Sequence, residues 1–438
     1  MSRRDTSQSL RQGFTTGSAA AAAAKAALFY LLEGREEPVA DIPLPGGGRL
    51  DVPVESVARE GAGVRAMVVK DAGDDPDATN KARISCVVRI MREEKMPPAA
   101  KGLRPLETLV GDAGDAGHER ACGTCAAVPA MPAGGAGEAG PGREGGQRGV
   151  VPAGRVRVEI LGGSGVGRVT LPGLPVAVGQ PAINPVPRAQ IEQAAREVLD
   201  QAGFTGEVRL TIEVENGETI ARHTLNPRLG IVGGISILGT QGIVKPFSHE
   251  AWKATIESGL QVARAAGIDT AAFSTGRRSE RMLMAHHPEL PELCFVQAAD
   301  FYGFSMRRAQ ELGFRRIVWG CFFGKLAKMA QGLEYTHAHA QPTNFAALAG
   351  LAAQAGAPPE AWRAVAGANT ARHALEIVPD GEIRQRFADL TAARALQTAR
   401  SFFGTGPWPE VEIVCFGFEA GVLAEISAGT GANAGKQG

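Results

Sequence analysis

The chain has 438 residues, 44% hydrophobic and 21% charged, the balance of a soluble globular protein with room for two or three domains. Its 46 basic and 46 acidic side chains cancel, which excludes the positive excess that marks a nucleic-acid binder. Composition also excludes a coiled coil, a collagen-like chain and a small disulfide scaffold, and no run of about 18 apolar residues spans a bilayer.

Residues 1–9 are polar. Ser2-Arg3-Arg4 ahead of the alanine run Ala19–Ala24 has only a loose likeness to a twin-arginine export signal. Lys25 breaks that run and no small-residue cleavage site follows, so the expected compartment is the cytoplasm, with no membrane partner. Ser18 is a plausible N-cap for a helix running through the alanines to Leu32. Strands are expected at Val52–Val57, Val64–Val69 and Arg83–Met91, separated by Gly/Asp turns.

Residues 111–154 have a different composition, with 13 glycines, 4 prolines and no Leu, Ile or aromatic residue. Such a segment buries too little apolar surface to offset its ordering entropy, and it reads as a disordered insertion. His118, Cys122 and Cys125 within it have metal-like spacing, but a closed zinc site needs a fourth ligand and a scaffold. No metal site is therefore assigned. Cys86, Cys294, Cys321 and Cys415 sit in apolar, strand-like settings and read as small buried hydrophobes.

Structure resumes with a strand at Val156–Leu161, a glycine-rich loop and a strand at Arg168–Leu171. Pro187 opens a helix whose Ile191, Ala194, Ala195, Val198 and Leu199 share one face. Val208–Val214 is a strand. From about Ser248 helices alternate with apolar strands at Thr270–Phe273, Leu293–Gln297, Arg316–Trp319 and Glu412–Phe416. The fold class expected is mixed α/β, an N-terminal α+β part with antiparallel strands and a C-terminal helix-covered, mainly parallel sheet. The expected boundaries are 10–247, interrupted by the insertion at about 95–154, and 248–438.

The loop Gly163-Ser164-Gly165-Val166-Gly167 lacks the following helix of a dinucleotide fingerprint, because Arg168 begins an extended stretch. A glycine-rich hairpin describes it better. Asp71, Asp74, Asp75 and Asp77 crowd one segment; they are turn formers, and Asp77 could cap a helix. Carboxylates so close also repel, which would raise one pKa toward general-base work. Arg277, Arg278 and Arg281 follow Ser274-Thr275-Gly276, Arg307-Arg308 and Arg315-Arg316 come next, and Lys325 and Lys328 follow Gly324. Such charges are mostly solvated faces, but a cluster would suit a polyanionic ligand. His337 and His339 would share a face on a strand but not on a helix. His286-His287 reads as surface.

Several of these segments together resemble the CbiD family, the cobalt-precorrin-5B C1-methyltransferases of anaerobic cobalamin biosynthesis. They are Gly13-Phe14-Thr15-Thr16-Gly17 before the alanine helix, Asp71 through Asp77, and Gly163 through Leu174. Gly179 through Arg188, Asn226-Pro227-Arg228-Leu229-Gly230 through Gly239-Thr240, Gly324-Lys325 and Thr336-His337 complete the set. The resemblance implies methyl transfer from S-adenosylmethionine to C1 of a corrin precursor, with cobalt present only in the substrate. Neighbouring enzymes of the same pathway are further expected partners, and a non-catalytic carrier of the corrin intermediate is the alternative. The implied catalytic residues are Asp74, Asp75 and His337. Thr15, Thr16, Gly17, Gly233, Gly234, Ser236, Gly239 and Thr240 would hold the cofactor. Arg277, Arg278, Arg281, Lys325 and Lys328 would meet the carboxylates of the substrate.

Overall fold

Six consecutive alanines set the packing of the first half. In the computed structural model, which describes residues 10–95, 156–337, 341–418 and 421–429, Ala19–Ala24 are completely buried inside a helix over Thr16–Glu33. Alanine has high helix propensity and no bulk, so strands and a second helix approach this backbone closely. The helix lies against the strands Gly63–Val69 and Arg83–Lys95 and the helix Pro185–Gln201. That second helix starts on Pro185 and buries the expected face, Ile191, Ala194, Ala195, Val198 and Leu199.

Behind these helices stands a five-stranded sheet in the order Ser56–Glu60, Gly63–Val69, Arg83–Lys95, Thr205–Val214, Val156–Gly162. The first four strands are antiparallel, and the last runs parallel to Thr205–Val214. Along Thr205–Val214 every second residue is buried, the period-2 pattern of a sheet with one face covered.

Residues from 270 onward form a second five-stranded sheet in the order Phe295–Gln297, Thr270–Ser274, Arg316–Phe322, Glu410–Phe416, Val422–Ala428. The first four strands are parallel and the last antiparallel. Phe273, Trp319 and Ile413 pack with helices such as His249–Ala265 and Glu382–Ala399 on one face. On the other face Ala272, Val318 and Val414 pack on Leu283 of the helix Arg277–His286. Helices on both faces are what a parallel sheet requires. The mixed α/β class, antiparallel first and mainly parallel second, is as expected.

Four expectations need correction. Thr15, not Ser18, is the N-cap, because its hydroxyl accepts from the Ser18 N–H at 3.2 Å while Ser18 is buried inside the first turn. The expected strand Val52–Val57 is two: Arg49–Pro53 pairs with Val39–Pro43, whereas Ser56–Glu60 joins the large sheet. The chain changes partner between them, with Val54 N bonded to Pro38 O and Glu55 N to Met67 O. Asp77 caps no helix; its carboxylate accepts from Thr79 N and Oγ1 in a turn.

The glycine loop is not a hairpin either. Val156–Gly162 pairs with Thr205–Val214, Gly165-Val166 with Gly234-Ile235, and Arg168-Val169 with Ile231-Val232. The glycines are there because main chains meet: a Cβ on Gly165 would lie 1.9 Å from Val214 O, and one on Gly217 or Gly234 would lie 2.1 Å from Gly165 O.

The glycine-rich stretch with His118, Cys122 and Cys125 lies outside the described residues, as does His339. Cys86, Cys294, Cys321 and Cys415 are buried free thiols, and no described helix is long and apolar enough to cross a membrane.

The backbone crossing gives a contrast between two glycines of positive φ. Gly165 (φ 73°) has no room for a Cβ, whereas Gly179 (φ 85°) faces open space. Gly165→Ala is expected to cost about 3 kcal/mol or more through forced backbone movement, and Gly179→Ala only the left-handed penalty of about 1–2 kcal/mol. Denaturant midpoints of the two variants check this.

Candidate active site

The parallel sheet has one topological switch point. From Thr270–Ser274 the chain crosses through the helix Arg277–His286 to Phe295–Gln297 on one side. It then returns through Tyr302–Glu311 to Arg316–Phe322 on the other. In open α/β sheets the crevice outside the carboxyl ends at such a point is where ligands bind. Here that edge carries Ser274-Thr275-Gly276, Ala298-Ala299-Asp300, Phe322 through Lys325, and Phe418.

Several groups at this edge are held in unusual states. Ser274 Oγ is buried without a hydrogen-bond partner among the described residues, a state that costs free energy unless a ligand satisfies it. Ala299 has φ 48°, a left-handed backbone that a non-glycine residue rarely adopts. Beside it Asp300 accepts from Lys325 Nζ and from Thr336 Oγ1 at 3.2 Å. Lys328 is 6% exposed and donates to the carbonyls of His337 and Gln341 at 2.8 and 2.7 Å. Burial, then the nearby Lys325 charge, pushes the Lys328 pKa below the usual lysine value. These two lysines are not a solvated helix face.

An aromatic platform completes the edge. Phe322 and Phe418 stack with centroids 5.5 Å apart and planes 16° from parallel. Arg278 lies over Phe322 at 5.1 Å and donates to Phe418 O, while Arg372 lies over Phe418 at 4.5 Å. Arg277 and Arg281 are exposed on the same helix. The remaining arginines of the expected cluster are committed to carboxylates: Arg307 to Glu334, Arg308 to Glu257 and Glu311, and Arg316 to Glu412.

The expected cofactor residues gather elsewhere. Thr16 Oγ1 lies 3.2 Å from both Ser236 O and Leu238 O and accepts from Leu238 N at 2.8 Å. Gly17 N bonds Leu238 O, Thr15 N bonds Gly242 O, and a Cβ on Gly239 would meet Thr15 at 2.5 Å. Thr15, Thr16, Gly17 and Ser236 are buried, so most of this set builds the scaffold. Gly234 is buried in the glycine crossing, whereas Gly233 and Thr240 are exposed.

The acidic loop docks on this scaffold, with Phe14 N donating to Asp71 O. Each of its carboxylates has its own partner. Arg11 holds Asp71, and its hydrogen bonds pull the Asp71 pKa down to about 2. Arg11 N donates to Asp74 at 2.6 Å, and Phe247 N to Asp75 at 3.0 Å. Burial would raise Asp77, but Lys70 Nζ at 2.6 Å and the two hydrogen bonds from Thr79 together outweigh it and the pKa falls. The raised general-base pKa expected from crowding is therefore absent at Asp71 and Asp77.

A short path joins the two regions. Phe247, itself at φ 57°, leads into His249, whose Nε2 lies 3.0 Å from the Tyr335 hydroxyl. Tyr335 stacks on His337 at 5.7 Å. The segment around His337 is neither strand nor helix, so the shared-face question for His337 and His339 does not arise. A second tie is Arg228, which pairs with Glu280 at 2.7 Å and donates to Phe295 O at 3.1 Å. Glu280 also accepts from Gln297.

Two family models match this chain: one described as CbiD over residues 3–129 and 148–246, and one described as the CbiD C-terminal domain over 335–427. The chain is 46% identical over 403 residues to a cobalt-precorrin-5B C(1)-methyltransferase of Nitratidesulfovibrio vulgaris, covering 91% of this chain and 88% of that one. The chain belongs to the CbiD family. Another relative of the same name, from a Geobacillus species, is 38% identical over 94% of this chain and 96% of its own. A crystal structure of the cobalamin biosynthesis protein CbiD from Archaeoglobus fulgidus aligns with TM-score 0.34 at 23% identity, over 74% of this chain and 80% of that one.

In this CbiD chain the Asn-Pro-Arg-Leu-Gly motif thus supplies the joint between the sheets, through Arg228. Sequence reasoning missed Asp300, Phe322, Arg372 and Phe418. Asp300, Phe322 and Phe418 lie at or just beyond the carboxyl ends of expected strands, a signal that could have found them. Arg372 and the Arg228–Glu280 pairing leave no local trace.

Glu280 is 7% exposed, so removing its partner strands a buried charge. Arg228→Met is expected to destabilise by about 3–5 kcal/mol, and Arg228→Met combined with Glu280→Leu by much less. Chemical denaturation of the singles and the double, read as a cycle, checks the coupling.

Proposed function

We propose that this chain transfers a methyl group to C1 of cobalt-precorrin-5B, giving cobalt-precorrin-6A during assembly of the cobalamin corrin ring. The observation that carries this is the identity of 46% over 91% of the chain to a relative of that name. The donor in this reading is S-adenosylmethionine, which supplies an electrophilic methyl group on a sulfonium. Cobalt enters only as part of the substrate.

The residues present suit both reactants. A flat macrocycle edged with acetate and propionate groups matches the Phe322–Phe418 platform, with Arg277, Arg278 and Arg372 placed for the carboxylates. Lys325 reaches a substrate carboxylate by exchanging its bond to Asp300, and Lys328 shapes the wall through its carbonyl contacts. Asp74 and Asp75 offer negative charge to a sulfonium, and the exposed main chain at Gly233 and Thr240 approaches the donor. His337, on the Tyr335 path between the two regions, stands where a proton acceptor is useful. Charge leaves sulfur as the methyl group moves, so the protein's main tasks are alignment and exclusion of water.

The test is incubation with methyl-labelled S-adenosylmethionine and cobalt-precorrin-5B, followed by mass spectrometry of the corrin. One labelled methyl group on the corrin is expected; binding without transfer would favour the carrier. Arg278→Gln is expected to weaken corrin binding about tenfold and flatten its salt dependence while donor binding stays unchanged. Asp75→Asn is expected to keep the thermal midpoint and to weaken donor binding about tenfold, read as a raised KM for S-adenosylmethionine.

A further inference from the structure

A second cluster of chemically capable side chains lies at the opposite, amino edge of the parallel sheet. His286 ends the helix Arg277–His286, His287 follows as its C-cap, and Glu412 stands near the start of the strand Glu410–Phe416. His287 is not on the surface, as the sequence suggested, but 8% exposed, and Glu412 is 4% exposed. The ligand atoms of the three residues lie within 4.8 Å of one another.

Each imidazole has a carboxylate behind it. His286 Nε2 lies 3.1 Å from Glu425 Oε2, and His287 Nδ1 lies 3.0 Å from Glu289 Oε1. A carboxylate behind an imidazole is the usual outer arrangement around metal-bound histidine, with the other ring nitrogen facing the ion. The Nε2 of His287 faces Glu412 Oε1 at 2.9 Å, and Arg316 holds the other carboxylate oxygen at 2.6 Å. The carboxylate is therefore oriented with one oxygen toward the two rings.

We propose that His286, His287 and Glu412 bind a divalent transition-metal ion of the zinc type. Two imidazoles and one carboxylate form a donor set that zinc takes, with bonds of about 2.0–2.2 Å and ligand atoms about 3.3 Å apart. His287 Nε2 and Glu412 Oε1 stand 2.9 Å apart and all three ligand atoms lie within 4.8 Å, so side-chain adjustment brings them to that spacing around an ion. The ion neutralises a cluster in which Glu289, Glu412 and Glu425 outnumber the single guanidinium of Arg316. Water takes the fourth position, and the ion pins the end of the Arg277–His286 helix to the sheet. That helix carries Arg277 and Arg278 at its other end. The proposal does not rest on the methyl-transfer reading, because no residue of the cluster belongs to that site.

The test uses the full chain without an affinity tag, stripped by chelator, equilibrated with zinc and dialysed. Metal analysis is expected to find about one zinc per chain, retained when Cys122 and Cys125 are both changed to serine. His287→Gln and Glu412→Gln are each expected to weaken zinc binding at least about tenfold. His286→Ala, at a half-buried position that tolerates truncation, is expected to fold, to lose the metal and to lose the rise in thermal midpoint that zinc gives the parent. Cobalt(II) in place of zinc is expected to show the intense visible bands of a tetrahedral site. Absence of retained zinc overturns the proposal, as does retention by His286→Ala equal to the parent. Zinc that follows Cys122 and Cys125 overturns it too.

Discussion

The ion pair between Arg228 and Glu280 is the contact on which the arrangement of this protein depends most. It joins a loop of the first half to the helix that follows the switch-point strand of the second. Glu280 lies between Arg278 and Arg281 in sequence, so the pair also fixes the rotation of the helix that presents them. A buried carboxylate with two partners, Arg228 and Gln297, tolerates little slippage, because any shift strands charge in low dielectric. That is why a motif without reactive side chains matters to a reactive site.

A second constraint comes from backbone closeness. Gly165, Gly217 and Gly234 let three chain segments meet with no side chain between them, and Gly239 leaves room for the Thr15 side chain. The loops from 231 to 244 are thereby locked between the glycine crossing and the first turn of the alanine helix. Gly233 and Thr240 are exposed on these loops, the place the proposed function gives to the donor. The alanine helix serves the same end, since bulkier residues at Ala19–Ala24 would push these segments apart.

Much of the fold was legible in the sequence, for physical reasons. The helix on Pro187 had a clean 3.6-residue pattern, and the apolar strands of the second half alternated with helical stretches. Parallel sheets buried on both faces give that signal strongly. The glycine loop was misread because spacing cannot distinguish a hairpin from a crossing of main chains. The carboxylates of the acidic segment were read as repelling one another, whereas Arg11, Lys70 and two main-chain N–H groups separate them. His287 was read as exposed because nothing local reveals Glu412, 125 residues away. For the site, strand ends pointed to Arg278 and Lys325, while the Phe322–Phe418 stack needed the sheet to bring its rings together.

In the proposed function one reactive region spans both sheets, with the donor against the first half and the macrocycle at the carboxyl edge of the second. Hydrogen–deuterium exchange of the chain with both reactants bound, or with S-adenosylhomocysteine in place of the donor, tests it most directly. Simultaneous protection is expected of segments around 13–17 and 233–242, and of those around 274–278, 322–325 and 336–337. Protection confined to one of the two sets, with both reactants bound, would contradict it.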